Sequence, residues 1–161
     1  MAVVGVGQRL RGDDGAGPAV AQRLAPLADA ALLVVDAGHA PENCLGPIIR
    51  FRPDVILLID AARGGNEPGA VVWLRPEEAE GHGGSTHTLS LAMLAGYLAA
   101  ESGAVVHILG IEPASVAFGE GLSPAVARAT ADVATTMAGY WRKLSTACSA
   151  IASGEASVVN T

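Results

Sequence analysis

The stretch AVVGVGQRLRGDDGAGPAVAQRLAPL, residues 2–27, contains the pattern that decides the fold. It begins with a small and β-branched run at Ala2–Val6, crosses a glycine-rich turn, and becomes rich in alanine and leucine after Pro18. The first run predicts a buried strand. Pro18 fits only the first turn of the following helix, because that position needs no N–H donor. A strand followed by a helix is the repeating unit of an α/β protein.

The same alternation continues along the chain. Short apolar runs predict four more strands, at Ala31–Asp36, Val55–Asp60, Ala70–Leu74 and Val105–Gly110. The segments between and after them predict three more helices: one between Pro41 and Phe51, one capped by Ser85 or Thr86, and one running from Ser123-Pro124 to about Leu144. Gly46-Pro47 is expected to break or restart the first of these three.

The connections determine the strand directions. The link from Asp60 to Ala70 is too short for a crossover helix, so the fourth strand is expected to run antiparallel to the third. The other connections carry helices, which predicts parallel strands. We therefore expect a three-layer α/β sandwich of the phosphorylase/hydrolase-like type, with a mostly parallel, twisted five-stranded sheet and one antiparallel strand. Residues 1–144 form the single domain, and residues 145–161 form a Ser/Ala-rich C-terminal tail.

Composition excludes several classes of function. At 161 residues the chain has the length of one domain, and its net charge of −6 without basic clusters argues against nucleic-acid binding. Cys44 and Cys148 are too few and too far apart for a disulfide framework or a thiolate metal site. The start of the sequence resembles a strand rather than a secretion signal, and its apolar runs are too short to span a bilayer. These features predict a cytoplasmic protein without membrane insertion.

Four polar residues are expected at the carboxyl ends of the parallel strands, where open α/β sheets bind ligands. Asp36 and Asp60 close their strands, Asp14 follows the turn after the first strand, and His87 lies in the first turn of the third helix. Asp14, Asp60 and His87 together make a ligand set for nickel or zinc. Taken singly, Asp14 also fits a helix cap, Asp60 a turn residue, and His87 a surface loop.

Two other features have simpler interpretations. Gly5-Val6-Gly7 resembles the start of a dinucleotide-binding fingerprint, but its third glycine position is Leu10, so the close approach of helix and strand is not encoded. His107 lies within an apolar strand and is predicted to be a packed core residue.

Five ordered motifs resemble those of the hydrogenase maturation proteases. The opening motif of that family is usually Gly-x-Gly-Asn followed by Gly-Asp-Asp/Glu-Gly. The matching stretches are GVGQRLRGDDGAG at 5–17, VDAG at 35–38, LIDA at 58–61 with Gly69, the run at 85–87, and GIEP at 110–113. The resemblance covers about residues 2–144. The segment APEN at 40–43 is most similar to the branch that serves formate-linked hydrogenases.

The resemblance implies a function and a set of roles. It implies an endopeptidase that removes the C-terminal extension of a [NiFe] hydrogenase large-subunit precursor after nickel insertion, with the bound nickel as recognition element. Asp14, Asp60 and His87 would then bind the nickel that the precursor carries, and Asp36 would take part in cleavage or substrate engagement. The substrate contacts expected beside them are at Gly38, His39 and Glu112.

Two positions depart from the family pattern. Gln8 replaces the usual Asn and keeps an amide near the turn. His39 replaces a common Thr or Ser, and three roles are open to it: tuning nickel affinity, acting as a general base, or filling space.

Two other functions remain as alternatives. The first is a non-proteolytic, nickel-binding assembly factor for the same precursor. The second is a small-molecule hydrolase or phosphorylase of similar fold, which would need Arg9, Arg11 and Arg63 to converge on a phosphate.

Overall fold

A computed structural model describes residues 1–75, 91–119 and 121–152 of the chain, with side chains to residue 148. The strands are β1 Ala2–Val6, β2 Leu33–Gly38, β3 Val55–Ala61, β4 Val71–Leu74 and β5 Val105–Ile111. The helices are α1 Ala16–Leu24, α2 Leu45–Phe51, α3 Leu91–Ser102 and α4 Pro124–Ala152. Short 3₁₀ turns occupy Gly12–Gly15, Ala25–Leu27 and Pro41–Cys44.

The five strands form one sheet in the order β2-β1-β3-β5-β4. β1 pairs in parallel with β2 and β3, β3 pairs in parallel with β5, and β4 pairs antiparallel with β5. The predicted fold class is therefore confirmed. β4 runs opposite to β3 as expected, but β5 lies between them, so the two strands are not neighbours.

The sheet separates two apolar cores, because alternate strand residues point to opposite faces. On one face, Val4 and Leu58 pack with Leu98 of α3 and with α2. On the other face, Val3 and Leu57 pack with α1 and the first half of α4. These helices form the two outer layers of the sandwich.

Two glycines let α1 lie directly on the sheet. A Cβ on Gly17 would lie 2.1 Å from the carbonyl oxygen of Ile59 and 2.3 Å from that of Val6. A Cβ on Gly5 would lie 2.2 Å from the carbonyl oxygen of Gly17. The close approach of helix and strand is thus present, contrary to the expectation drawn from Leu10, and it depends on Gly17 instead. This contact fixes where the chain between β1 and α1 leaves the sheet.

Two further predictions are wrong, and a third is not tested. α4 continues to Ala152 rather than ending near Leu144, because the segment from Ser145 to Ala152 is alanine-rich and contains no Gly or Pro to stop a helix. The first eight residues of the Ser/Ala-rich tail, 145–152, are therefore helical. His107 is exposed rather than packed in the core, and its ring makes an edge contact with Trp73 at 5.8 Å between centroids. The predicted cap of α3 lies outside the described residues.

Candidate active site at the carboxyl edge of the sheet

Two aspartates are buried side by side at the carboxyl edge. Asp60 is the penultimate residue of β3, and Asp14 lies in the 3₁₀ turn before α1; each is only 2% exposed. Gly7, where the chain leaves β1 for the opening turn, lies against both of them. A Cβ on Gly7 would lie 1.8 Å from the carbonyl oxygen of Asp14 and 3.5 Å from Oδ1 of Asp60, and the φ of Gly7 is +133°. The turn needs glycine here because the chain passes so close to both acids.

The environment of this pair disfavours two negative charges. Burial raises the pKa of Asp60 well above its usual value, the neighbouring charge of Asp14 raises it further, and the N–H of Ala61 opposes both effects. Oδ2 of Asp14 accepts a hydrogen bond from the backbone N–H of Gln8 at 2.8 Å. Oδ1 of Asp14 is buried and accepts none from any residue that the structure describes. A buried carboxylate oxygen with no hydrogen bond, next to a second acid, destabilises the fold unless the two acids share a cation or a proton.

Asp13, the preceding residue, is equally buried but fully engaged. Its carboxylate accepts hydrogen bonds from the backbone N–H groups of Ala114 at 2.8 Å, Ser115 at 3.2 Å and Ser123 at 2.6 Å. It therefore joins the turn after β1 to the loop after β5 and to the start of α4. We call the residue and its three donors the Asp13 anchor.

Asp36 lies at the end of β2 and makes an ion pair. Its Oδ2 accepts a hydrogen bond from the guanidinium of Arg9 at 2.6 Å, and its Oδ1 accepts one from the N–H of Gly38 at 3.2 Å. Arg9 is held in turn by the carbonyl oxygen of Pro18 at 3.0 Å and by the side chain of Gln22 at 3.3 Å. The carboxylate of Asp36 remains nearly half exposed and open to water.

Strand register separates Asp36 from the buried pair. Asp36 pairs with Gly5 of β1, and Gly5 pairs with Ile59 of β3, so these three side-chain positions share the α1 face of the sheet. Asp60 follows Ile59 in β3, so its side chain leaves the backbone on the opposite face of the sheet. Because two strand spacings lie between β2 and β3, the backbones of Asp36 and Asp60 are about 10 Å apart. Asp36 is therefore placed beside the pair rather than within it.

The remaining candidates have different surroundings. Oε2 of Glu112 accepts hydrogen bonds from the N–H groups of Gly64 at 2.7 Å and Asn66 at 3.1 Å. Burial acts to raise its pKa, but these hydrogen bonds outweigh burial and lower it. Gly38 has a φ of +57°, and its carbonyl accepts from the N–H of Gly7 at 2.8 Å. His39 is exposed in the turn that follows β2, and His87 lies outside the described residues.

Comparison with known proteins identifies the family. The model of the HycI hydrogenase maturation proteases matches residues 18–139. The chain is 38% identical over 114 residues to the hydrogenase 3 maturation protease of Escherichia coli K12, covering 70% of this chain and 72% of that one. The chain belongs to the hydrogenase maturation protease family. The resemblance stated from its motifs is confirmed, and the protein is a hydrogenase maturation endopeptidase.

Solved structures of relatives share the fold. The crystal structure of HycI from Thermococcus kodakarensis superposes with a TM-score of 0.78 at 31% identity, covering 86% of this chain and 89% of that one. The solution structure of the endopeptidase HycI from Escherichia coli gives 0.77 at 33% identity, covering 87% and 90%. No helix within the described ranges is both long and apolar enough to cross a membrane.

The buried pair of this protease fits a divalent cation, although it is not a complete ligand set. Within residues 1–75, 91–119 and 121–152, no three His, Cys, Asp or Glu side chains are grouped to hold a metal. The orphaned Oδ1 of Asp14 and the carboxylate of Asp60 offer two oxygen ligands, which suit nickel or zinc when a further ligand is added. The predicted third ligand, His87, lies in the part of the chain that is not described.

Two residues of the edge have contacts that the sequence did not indicate. Arg9 looked like one of three scattered basic residues, and only the folded turn shows that it holds Asp36. Because its guanidinium is already shared among three partners, Arg9 makes a poor phosphate ligand. Asp13 stood inside the opening motif beside Asp14, and two adjacent acids gave no signal of which would face the loop after β5.

Proposed function

We propose that this protease removes the C-terminal extension of a [NiFe] hydrogenase large-subunit precursor, and that it recognises nickel already bound to the precursor. The observation that carries the proposal is the pair Asp14–Asp60, buried at the carboxyl edge with one oxygen unsatisfied among the described residues. A divalent ion carried by the substrate would relieve the repulsion between the two carboxylates, and His87 is proposed as the third ligand.

Asp36 is proposed as the group that activates water. Its carboxylate is exposed, it is oriented by Arg9 and the N–H of Gly38, and it can accept a proton from a water molecule that attacks the scissile carbonyl. The separation of about 10 Å between Asp36 and Asp60 favours nickel as a docking element over nickel as the ion that activates water. An extended peptide covers that distance in roughly three residues.

The neighbouring turn is proposed to hold the peptide. Gly38 adds no side chain beside Asp36, and apart from its chain neighbours no described residue lies within 4 Å of the place where its Cβ would be. His39 follows it at the surface, and the loop that Glu112 fixes follows β3 a few residues after Asp60. We propose that Gly38 and His39 contact the substrate directly, and that Glu112 acts by fixing the loop at Gly64–Asn66.

The precursor is proposed to resemble the one processed by the hydrogenase 3 maturation protease of Escherichia coli. The support is the match to the HycI family model and the 38% identity to that enzyme. The APEN segment at 40–43, next to His39, is the part of the edge most similar to that branch.

A cleavage assay with matched substrates tests the proposal. Wild-type protease is incubated with nickel-loaded and nickel-free forms of one large-subunit precursor, and the extension is followed by mass spectrometry. We expect cleavage of the nickel-loaded form alone. Equal cleavage of both forms would contradict nickel recognition, and two intact precursors would instead support a non-proteolytic assembly factor.

Two variants separate docking from chemistry. Asp36→Asn should bind the nickel-loaded precursor with near wild-type affinity and fail to cleave it. Asp14→Asn should lose affinity for the nickel-loaded precursor, since it removes a proposed nickel ligand. If Asp36→Asn cleaved at the wild-type rate, the proposed water-activating role would be wrong.

A further inference from the structure

The outer rim of the carboxyl edge exposes two large apolar side chains. Phe118, in the loop after β5, is 85% exposed, and Leu10, in the turn after β1, is 45% exposed. Their backbones are neighbours, because the N–H of Gly119 donates to the carbonyl oxygen of Leu10 at 2.9 Å. We call Leu10 and Phe118 the apolar rim. Neither side chain covers either core of the domain.

The two loops that carry the apolar rim are fastened to each other. The N–H of Gly12 donates to the carbonyl oxygen of Gly119 at 2.9 Å, and that of Asp13 donates to the carbonyl oxygen of Ser115 at 3.0 Å. The Asp13 anchor adds three hydrogen bonds from the buried carboxylate. Because the backbone is held on both sides, exposure of Phe118 is built into the loop and is not the result of a loose end.

The apolar rim is continuous with the candidate active site. The turn that exposes Leu10 also supplies Arg9, which holds Asp36, and Asp14 of the buried pair. The apolar rim and the proposed site therefore share the turn after β1. Exposed aromatic side chains on a rigid backbone are suited to bind an apolar partner, because little conformational entropy is lost on binding.

We propose that the apolar rim is a docking site for the folded part of the large-subunit precursor. The precursor places an apolar side chain against Phe118 while the nickel centre of the precursor binds the pair Asp14–Asp60. This inference rests on the proposed function and adds a specificity determinant outside the carboxylates. A second copy of this chain is a less suitable occupant, since each copy carries a net charge of −6.

Steady-state kinetics on the nickel-loaded precursor test the docking site. Phe118→Ala and Leu10→Ala are compared with Tyr140→Ala, a control of similar size and exposure (66%). Tyr140 lies 16 residues into α4, about 24 Å along the helix from its start near the Asp13 anchor. All three side chains are exposed, so the variants should fold, and thermal unfolding checks this.

We expect Phe118→Ala to raise KM roughly tenfold to a hundredfold with kcat unchanged, as loss of an aromatic contact would. Leu10→Ala should give a smaller rise, Phe118→Leu should restore most of the affinity, and Tyr140→Ala should match the wild type. Titration of the same precursor with Phe118→Ala in an Asp36→Asn background should show the same loss as a change in Kd.

Three results would overturn the inference. The first is a KM for Phe118→Ala equal to that of the wild type. If the wild type cleaves the precursor in the same assay, this result leaves the proposed function intact. The second is an equal rise for Tyr140→Ala. The third is sedimentation showing that the wild type self-associates through Phe118, which would make the rim a contact between copies. Failure of the wild type to cleave any large-subunit precursor would instead refute the proposed function.

Discussion

Two parts of the carboxyl edge, the Asp13 anchor and the pair Asp14–Asp60, differ sharply although they are adjacent in the chain. Asp13 is 1% exposed and its carboxylate accepts three backbone hydrogen bonds. Asp14 is 2% exposed, and one of its oxygens has no donor within the described part of the chain. Burial alone therefore does not separate a structural acid from a proposed metal ligand. The number of donors directed at each oxygen does, because both oxygens of Asp13 already accept hydrogen bonds, whereas Oδ1 of Asp14 accepts none from a described residue.

Replacement of Asp60 by Asn should produce the largest change in activity. We expect Asp60→Asn to abolish cleavage of the nickel-loaded precursor, because the pair loses one of its two carboxylates. Thermal unfolding should show equal or higher stability, since the change removes an acid whose charged form is disfavoured by burial and by Asp14. Asp54→Asn, at the exposed start of the same strand, is the matched control. Wild-type cleavage by Asp60→Asn would contradict the assignment of the pair.

Replacement of Asp13 by Asn should produce the largest change in stability. The amide keeps one acceptor oxygen and turns an NH₂ group toward backbone donors, so at least one buried N–H loses its partner. We expect the free energy of unfolding to fall by about 2–4 kcal/mol, measured by denaturant titration. Asp14→Asn should lower the free energy of unfolding by far less. Equal losses for the two variants would remove the distinction between anchor and pair.

Removal of the Arg9 side chain should affect cleavage more than stability. The ion pair with Asp36 is half exposed, so Arg9→Ala should change the free energy of unfolding by less than about 1 kcal/mol. We expect kcat to fall roughly tenfold because Asp36 loses its orienting partner. Arg9→Lys should recover part of the rate, and Arg23→Ala, on the exposed side of α1, should have none of this effect. An unchanged kcat for Arg9→Ala would show that Gly38 alone orients Asp36.

The smallest predicted effect concerns Glu112. Glu112→Gln should cost about 1 kcal/mol at pH 7, because the charge assistance to the hydrogen bonds from Gly64 and Asn66 is lost. The pKa of Glu112 is lowered in the folded state, so its stabilisation is complete above its ordinary value of 4.5 and is lost as the pH falls through the lowered pKa. The difference between wild type and variant, measured by denaturant unfolding, should therefore shrink in acid. A stability difference between wild type and variant that grew in acid would show that the pKa of Glu112 is raised rather than lowered.

Most of the architecture was predictable because apolar periodicity and Gly/Pro positions specify it locally. Every predicted strand is present, and its ends are within two residues of those observed. The insertion of β5 between β3 and β4 was not predictable, because strand order depends on tertiary packing. The apolar neighbours of His107 in β5 predict a core residue, and its exposure shows that this prediction is wrong.

The candidate site was predictable only in part. The strand ends placed Asp36 and Asp60 at one edge, and the turn brought Asp14 to it. The sequence did not indicate that the side chains of Asp36 and Asp60 lie on opposite faces of the sheet. This depends on a one-residue difference in register between β2 and β3 across β1. Nor did it reveal the ion pair to Arg9, which needs the turn and α1 to fold together.

Anomalous diffraction at the nickel edge tests the central claim most directly. Crystals of the Asp36→Asn protease bound to the nickel-loaded precursor would give the position of the ion. We expect a single peak about 2.0–2.2 Å from carboxylate oxygens of both Asp14 and Asp60, the distance expected for a divalent transition metal. A nickel peak out of reach of both aspartates, in a complex that still presents the extension to residue 36, would contradict it.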